Sequence, residues 1–160
     1  MGKGKEKVAE FIELRSPGEK LTQVCIRTAL HYERGETVSI YAPDEAEASA
    51  LDDLLWTFRQ NSFVPHVRLE RPTEPLIEPV IIFSNAPEDD VIGRAEASVL
   101  ERAEADVLIL ASAGEMPAWL TEFDHIYDFA EVYDEKRSQA ARGRFAACKT
   151  AGYRMRFLQA

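Results

Sequence analysis

The sequence is poor in the residues that hold metals and disulfides. Its 160 residues include two cysteines and three histidines. Cys25 and Cys148 lie inside helical patterns without a C-x-x-C spacing, so we expect buried thiols rather than a disulfide, a metal site or a nucleophile. His31, His66 and His125 stand far apart, and none is at metal-ligand spacing from another. The sequence therefore predicts no metal site and no catalytic histidine.

The glycine-rich loops that bind nucleotides are also missing. No G-x-G-x-x-G follows the first predicted strand, and neither a G-x-x-x-x-G-K-[ST] nor a G-x-S-x-G motif occurs. Asp52 and Asp53 form a carboxylate pair, but adjacent helix positions diverge by about 100°, which favours a solvated face. We therefore expect a protein that is not an enzyme and uses no cofactor.

Long apolar runs are absent as well. No window approaches 18 uninterrupted apolar residues, and the start, "MGKGKEKVAEF", lacks the apolar core of a signal peptide. Glu6 stands where a myristoylation signal requires Ser or Thr. We interpret the chain as soluble and cytoplasmic, with no membrane partner.

Basic residues are in deficit, and their distribution is uneven. The net charge of -9 argues against direct nucleic-acid binding, because neutralising phosphates requires a basic surface. All 28 acidic residues lie within residues 1–135, whereas the last 25 residues hold seven Lys and Arg and no acid. The chain is thus an acidic body with a basic end.

Hydrophobic periodicity predicts strands and helices in alternation. This pattern is typical of a three-layer, Rossmann-like α/β domain around a mostly parallel central sheet, here without a nucleotide-binding loop. The length favours one domain over residues 1–160, with a flexible basic N-terminus at 1–7 and a mobile loop at about 84–94. The predicted strands are 8–14, 37–43, 66–70, 79–84, 106–112 and 125–133, and the predicted helices are 18–35, 44–58, 95–105, 116–123 and 135–151.

Trp56 breaks the amphipathic pattern of the second helix. A stripe centred on Leu51 and including Leu55 forms the apolar face, and Trp56 projects roughly 140° away from it, among polar residues. Either this ring lies under a loop or against a neighbouring helix, or it is exposed for a partner.

The last predicted helix carries an unusual flank. Ser138, Arg142, Phe145 and Lys149 follow one another at spacings of four, three and four, which places an aromatic ring between two cations. Small residues form the packing face of this helix. Arg137 and Arg144 also fall in or beside that face, which indicates snorkelling stems or a partly exposed face.

Two stretches of the sequence together resemble a known family. "LDDLLWTFRQNSFVPH", followed near the end by "AARGRFAACKTAGY", is similar to the chi subunit of bacterial DNA polymerase III holoenzyme. The resemblance implies a Rossmann-like fold without nucleotide binding. It also implies two partners, the psi subunit of the clamp loader and the acidic C-terminal tail of single-stranded DNA-binding protein.

The resemblance also implies roles for individual residues. Trp56 matches the family's pocket tryptophan, Arg142 its tail-carboxylate arginine, and Phe145 the following aromatic residue without the tyrosine hydroxyl. We accordingly expect the tail to dock between the helix bearing Trp56 and the helix bearing Arg142 and Phe145. An acidic tail that ends in Pro-Phe requires an apolar slot and an arginine, which these residue types supply.

Several positions depart from the family pattern. Ser138 and Ala146 stand where basic residues occur, and Glu131 stands where an apolar pocket residue is common. Either the tail binds more weakly than in the family, or Lys136, Arg137 and Lys149 compensate as tail-binding cations. The segment 84–105 is also longer than the family suggests.

The motif "SFVPH" suggests a second surface. The family places a partner contact near it, and we expect Phe63, Val64 and Pro65 to contribute to a clamp-loader contact. The motif is equally compatible with a strand entry in which Pro65 fixes the chain direction. Two other functional classes stay open, a homo-oligomeric interaction module using the Trp56 face and an α/β enzyme of unidentified type.

Overall fold

Strands and helices alternate along the chain, as the hydrophobic periodicity predicts. The computed structural model of the protein describes residues 6–58, 64–68, 79–84, 107–112 and 114–160. The strands in these ranges are β1 (Val8–Leu14), β2 (Val38–Tyr41), β3 (His66–Arg68), β4 (Val80–Phe83), β5 (Val107–Leu110), β6 (His125–Glu131) and β7 (Arg154–Gln159). The helices are α1 (Glu19–Glu33), α2 (Glu45–Thr57), α3 (Glu135–Thr150) and a short 3₁₀ helix (Ala118–Glu122).

The seven strands form one sheet in the order β3-β4-β2-β5-β6-β1-β7. Every strand pair is parallel, with Val8 of β1 opposite His125 of β6 and Arg154 of β7. Parallel neighbours require crossover connections, which is why helices lie on both faces of such a sheet. The predicted three-layer α/β fold is confirmed, and its sheet is parallel throughout.

Alternate side chains of β1 identify the two faces of the sheet. Ile12 and Leu14 pack in one apolar cluster together with buried residues of α1 and α2. Phe11 packs in a second cluster that includes Trp119 of the 3₁₀ helix and Cys148 of α3. Because successive strand residues point to opposite faces, α1 and α2 cover the first face and α3 covers the second.

Local signals set the helix ends. The Asp44 side chain accepts the backbone N–H of Glu47 at 3.1 Å, which caps α2. Asp134 caps α3 in the same way, accepting the N–H of Arg137 at 3.0 Å. Gly35 follows α1 with φ 80°, a left-handed conformation that closes the helix at little steric cost.

Some predicted segments fall outside the described residues. These are the helix at 95–105, the N-terminal residues 1–5 and nearly all of the loop at 84–94. Ser84, at the start of that loop, is described and donates its hydroxyl to the Ala42 carbonyl at 2.8 Å. Strand β7, in contrast, is described but was not predicted, because most of its side chains are exposed and give no apolar run.

Arg144 is buried, which corrects the expectation of a snorkelling or partly exposed side chain. Its Nε donates to Asp128 Oδ2 at 2.7 Å, and its other nitrogens donate to the carbonyls of Gly114 at 2.7 Å and Phe129 at 3.2 Å. Both members of the ion pair are about 2% exposed or less. Arg144 is therefore a structural residue that ties α3 to β6.

Both cysteines are buried thiols, as predicted. Burial raises the pKa of Cys25 to about 12. Burial, with the Asp128 charge as a further contribution, raises the pKa of Cys148 to about 11. A raised pKa keeps each thiol protonated at neutral pH. Because the thiolate is the reactive form, neither cysteine is suited to act as a nucleophile.

Two histidines that are distant in sequence meet at the amino ends of the strands. The ring centroids of His31 and His125 lie 5.3 Å apart. The His31 ring nitrogens lie 2.8 Å from a Glu36 carboxylate oxygen and 2.8 Å from the Tyr127 hydroxyl, and His125 lies 2.6 Å from Glu10. Within the described ranges, no group of three or more His, Cys, Asp or Glu side chains could hold a metal ion.

Burial of His31 makes stability depend on pH. Desolvation lowers the pKa of His31 below its ordinary 6.5, although Glu36 opposes the shift. The unfolded chain therefore binds this proton at a higher pH than the folded protein does. The free energy of unfolding should accordingly fall as the pH drops below the unfolded value.

Between about pH 7.5 and pH 5, the free energy of unfolding should fall less in the His31→Gln variant than in the unsubstituted protein. Urea unfolding of both proteins at the two pH values measures this difference. The substitution removes hydrogen bonds at every pH, so the readout is the pH-dependent part alone. If the free energy of unfolding fell equally in the two proteins, His31 would not be neutral and buried in the folded state.

Candidate functional site

A groove of about 380 Å³ opens on the second face of the sheet, between α3 and the neighbouring strands. The ring of Phe145 packs edge-on against that of Phe11, with centroids 5.1 Å apart, and the buried Phe11 forms the floor. Val132 and Phe157 form exposed apolar walls. The lining residues are Phe11, Ala130, Val132, Ser138, Ala141, Arg142, Phe145 and Phe157.

The helical spacing of α3 brings Arg142 and Phe145 to the same side of the groove. Residues three apart on a helix are surface neighbours, and Ser138 stands one turn before Arg142 in the same lining. Arg142 is exposed and makes no ion pair within the described part of the chain. Its guanidinium is therefore available to an incoming anion at the rim of an apolar groove.

The chemistry of the groove suits a ligand with two different ends. Aromatic walls bind an apolar or aromatic side chain, and a guanidinium donates paired hydrogen bonds to a carboxylate. The lining residues include no glycine, so they do not form a phosphate-binding loop of the nucleotide type. The groove thus offers apolar side chains and one guanidinium side by side.

Phe157 and Val132 are groove residues that sequence reasoning missed. Phe157 is 54% exposed and lies on β7, the strand that was not predicted. The available signal was an aromatic residue directly after the two arginines of "RMRFLQ", since an exposed aromatic ring often marks an interface. Val132 follows β6 directly and only the fold brings it beside Arg142.

Trp56 does not belong to this groove, which corrects the expectation of a slot between the two helices. Helix α2 packs on the first face through Leu51 and Leu55, whereas α3 packs on the second face. The strands beneath them also differ, because α2 contacts β3 and β4 and α3 contacts β6 and β7. The sheet itself separates Trp56 from Arg142.

Trp56 lies instead beside residues 64–66, the described part of the "SFVPH" segment. It is 50% exposed, and its ring centroid is 4.5 Å from that of the buried His66. His66 is held by the Asp52 carboxylate at 3.0 Å and by the Val64 carbonyl at 2.7 Å. Trp56 thus covers the junction between α2 and β3.

The residues of that motif have different surroundings. Val64 is only 4% exposed and packs in the first apolar cluster, so the expectation that it contacts a partner is corrected. Pro65 is partly exposed at the entry to β3. Phe63 lies outside the described residues. We define the Trp56 surface as Trp56 together with Pro65.

The remaining predicted cations lie away from the groove lining. Arg137 donates to a buried Glu131 carboxylate oxygen at 2.9 Å and is therefore engaged in an internal pair. A Glu131 carboxylate oxygen also lies 3.3 Å from the buried Lys20 Nζ, so the Glu131 side chain points to the first face of the sheet. Ala130, the preceding residue, lines the groove instead. Lys149 is exposed in the last turn of α3 but does not line the groove.

The fold and the groove define a Rossmann-like α/β protein with an apolar groove on the second face of its sheet. None of the helices in the described ranges has the length and apolar character required to cross a bilayer. Residues 7–156 match the family model described as DNA polymerase III chi subunit, HolC.

A curated relative gives the same result. The chain is 26% identical over 137 residues to DNA polymerase III subunit chi of Pseudomonas aeruginosa, an alignment that covers 86% of this chain and 84% of the relative. The chain therefore belongs to the DNA polymerase III chi subunit family, which confirms the resemblance seen in the sequence. Its role lies in DNA replication, as part of a DNA polymerase III complex.

Proposed function

We propose that this chain links the DNA polymerase III clamp loader to single-stranded DNA-binding protein by holding the acidic C-terminal tail of that protein in the groove. The observation that carries the proposal is the position of Arg142, which places an available guanidinium at the rim of aromatic walls. A tail that ends in an apolar Pro-Phe and a free carboxylate presents matching chemistry at one end of a peptide.

Charge supports the same partner. The groove lies beside α3 and β7, which, apart from Glu135, belong to the basic last 25 residues of an otherwise acidic chain. An acidic peptide is attracted to this end and repelled by the rest of the surface, which favours one docking orientation. The same net charge leaves the isolated protein poorly suited to bind single-stranded DNA directly.

The Trp56 surface is the better candidate for the clamp-loader contact. A half-exposed tryptophan beside Pro65 is the kind of residue that anchors protein interfaces. It stands on the opposite face of the sheet from the groove. Two partners bound at these two places would not compete, as a bridging subunit requires. We assign the partner as a psi-like subunit and keep Phe63 as a predicted contributor.

The chain acts in this proposal as a non-catalytic accessory subunit. The groove offers binding groups and no paired acid and base, and its lining contains a single titratable side chain, Arg142. We place the protein in the bacterial cytoplasm, because the chromosome is replicated there. No cofactor enters the proposed function.

Titration with a peptide ending in Asp-Asp-Ile-Pro-Phe tests the proposal. We expect calorimetry to show one bound peptide, and we expect the Trp56→Ala variant to bind it within about twofold of the unsubstituted protein, because the sheet separates Trp56 from the groove. The same variant should lose co-purification with a psi-like partner, since Trp56 is a half-exposed anchor.

Two controls make this test specific. A peptide of the same composition with Pro-Phe moved to its centre should not bind, because its carboxylate and ring no longer lie together. Circular dichroism checks that Trp56→Ala is folded. Absence of binding by the parent peptide would refute the tail-binding function, and a large loss of peptide affinity in Trp56→Ala would refute the separation of the two surfaces.

A further inference from the structure

Among the residues that the structure describes, strand β7 has an open edge. It pairs with β1 on one side and ends the sheet on the other. The N–H of Arg154 donates to the Lys7 carbonyl at 2.8 Å, and the N–H of Ala160 donates to the Glu13 carbonyl at 3.3 Å. Backbone groups alternate in direction along a strand. The N–H and C=O groups of Met155, Phe157 and Gln159 therefore point outward.

Those outward groups meet no other strand within the described part of the chain. An uncovered edge of six residues is a template for pairing with another extended segment. Proteins commonly protect such edges with charged side chains, and the charged residues of β7 are both arginines. Arg154 and Arg156 alternate along the strand with Met155 and Phe157, whose backbone groups point outward.

These arginines determine which kind of segment can pair with the edge. A second copy of the chain would place like charges opposite one another, which disfavours edge-to-edge pairing. Arg154 lies 3.5 Å from Glu6 and Arg156 lies 3.7 Å from Glu10, and both arginine side chains are more than half exposed. The Arg154–Glu6 pair is exposed on both sides and contributes little. Arg156 keeps an exposed side chain although its partner Glu10 is largely buried. An acidic segment can therefore approach the exposed side of both arginines.

The open edge continues directly into the groove. Phe157 belongs to both, because its side chain forms a groove wall and its backbone faces outward. A peptide whose last side chain enters the groove and whose carboxylate reaches Arg142 has its preceding residues beside β7. The arginines stand toward the amino end of β7, so acidic residues that precede the terminus meet them when the peptide runs parallel to this strand.

We propose that the acidic residues preceding the C-terminus of the bound tail add to β7 as an eighth parallel strand of the sheet. This inference rests on the proposed function of the groove. Main-chain hydrogen bonds to Met155 and Phe157 hold the peptide, and alternate acidic side chains lie beside Arg154 and Arg156. The groove then selects the terminus, and the strand edge binds the acidic run.

A scan of N-methylated peptides tests this inference on the full chain. Each residue before the Pro-Phe terminus is N-methylated in turn, which removes one N–H donor without changing charge. We expect losses of about three- to tenfold at alternate residues and little change at the residues between them. Hydrogen exchange should show protection of the Met155, Phe157 and Gln159 amides when the unmodified peptide is added.

A charge variant provides a second readout. Arg154→Gln with Arg156→Gln keeps the groove lining intact and should weaken binding of the acidic peptide several-fold, with little effect on a peptide whose upstream acids are replaced by Ser.

The outcomes separate this inference from the proposed function. If the unmodified peptide binds but the scan shows no period of two, or the β7 amides gain no protection, strand addition is wrong and the groove assignment stands. If the unmodified peptide does not bind at all, both fail.

Discussion

Replacement of Arg142 with alanine is expected to weaken binding of the tail peptide roughly thirtyfold. An arginine that meets a carboxylate at the rim of an apolar pocket is a typical interface hot spot, worth about 2 kcal/mol, and each 1.4 kcal/mol is about tenfold in affinity. Arg142 is the cation that lines the groove, and the described part of the chain gives it no ion pair to lose. Its removal should therefore act on binding rather than on the fold.

Calorimetric titration at two salt concentrations measures this effect. Arg142→Ala should also show a weaker salt dependence, because it deletes a charge that meets an acidic ligand. Lys149→Ala is the matched control, since it removes an exposed cation from the same helix outside the groove lining. We expect that control to lose no more than a few-fold in affinity, through long-range charge alone.

A peptide with a C-terminal amide identifies the group that Arg142 binds. The amide should bind more weakly than the free acid to the unsubstituted protein, and the difference should largely disappear in Arg142→Ala. Unchanged affinity in Arg142→Ala, or an acid-to-amide difference that persists in it, would place the peptide terminus elsewhere on the protein.

Replacement of Arg144 with alanine should destabilise the protein by about 3–5 kcal/mol. The substitution leaves the Asp128 carboxylate buried without its charged partner and leaves the Gly114 carbonyl without its donor. For a chain of this size, each kcal/mol corresponds to about 2–4 °C in Tm. The expected fall in Tm is therefore roughly 6–20 °C, which thermal unfolding measures, and urea unfolding measures the free energy.

A paired replacement shows whether the loss comes from the unpaired charge. Arg144→Met combined with Asp128→Leu should recover much of the stability, because an apolar pair can substitute for a buried ion pair when both charges are removed. Arg142→Ala, two residues away on the exposed side of α3, should change stability by less than about 0.5 kcal/mol. A loss below about 1 kcal/mol in Arg144→Ala would contradict a structural role for the pair.

The two arginines of α3 differ in burial, and the sequence pattern of the helix does not reveal this difference. Arg142 and Arg144 are separated by one residue in "ARGR", and a spacing of two places them on different sides of the helix. One is exposed at the groove and the other is fully buried. The partner that permits burial, Asp128, lies on another element, and no local pattern identifies it.

The sequence by itself determined the class of fold and most of its elements. Strand β1 occupies the predicted residues 8–14, Asp44 caps α2 where the predicted helix at 44–58 begins, and Gly35 follows α1 where the predicted helix at 18–35 ends. These features depend on local physics, since side-chain periodicity, capping and left-handed glycine are encoded within a few residues. Family membership was also readable, because two motifs stand in the right order along the chain.

Only the tertiary structure decided which residues share a surface. Trp56 and Arg142 both look unusual in the sequence, but the order of strands and the handedness of crossovers place their helices on opposite faces. Phe157 joined the groove because β7 pairs beside β1, a contact between the two ends of the chain. Such long-range pairings depend on how the whole chain packs around its core, so local periodicity cannot predict them.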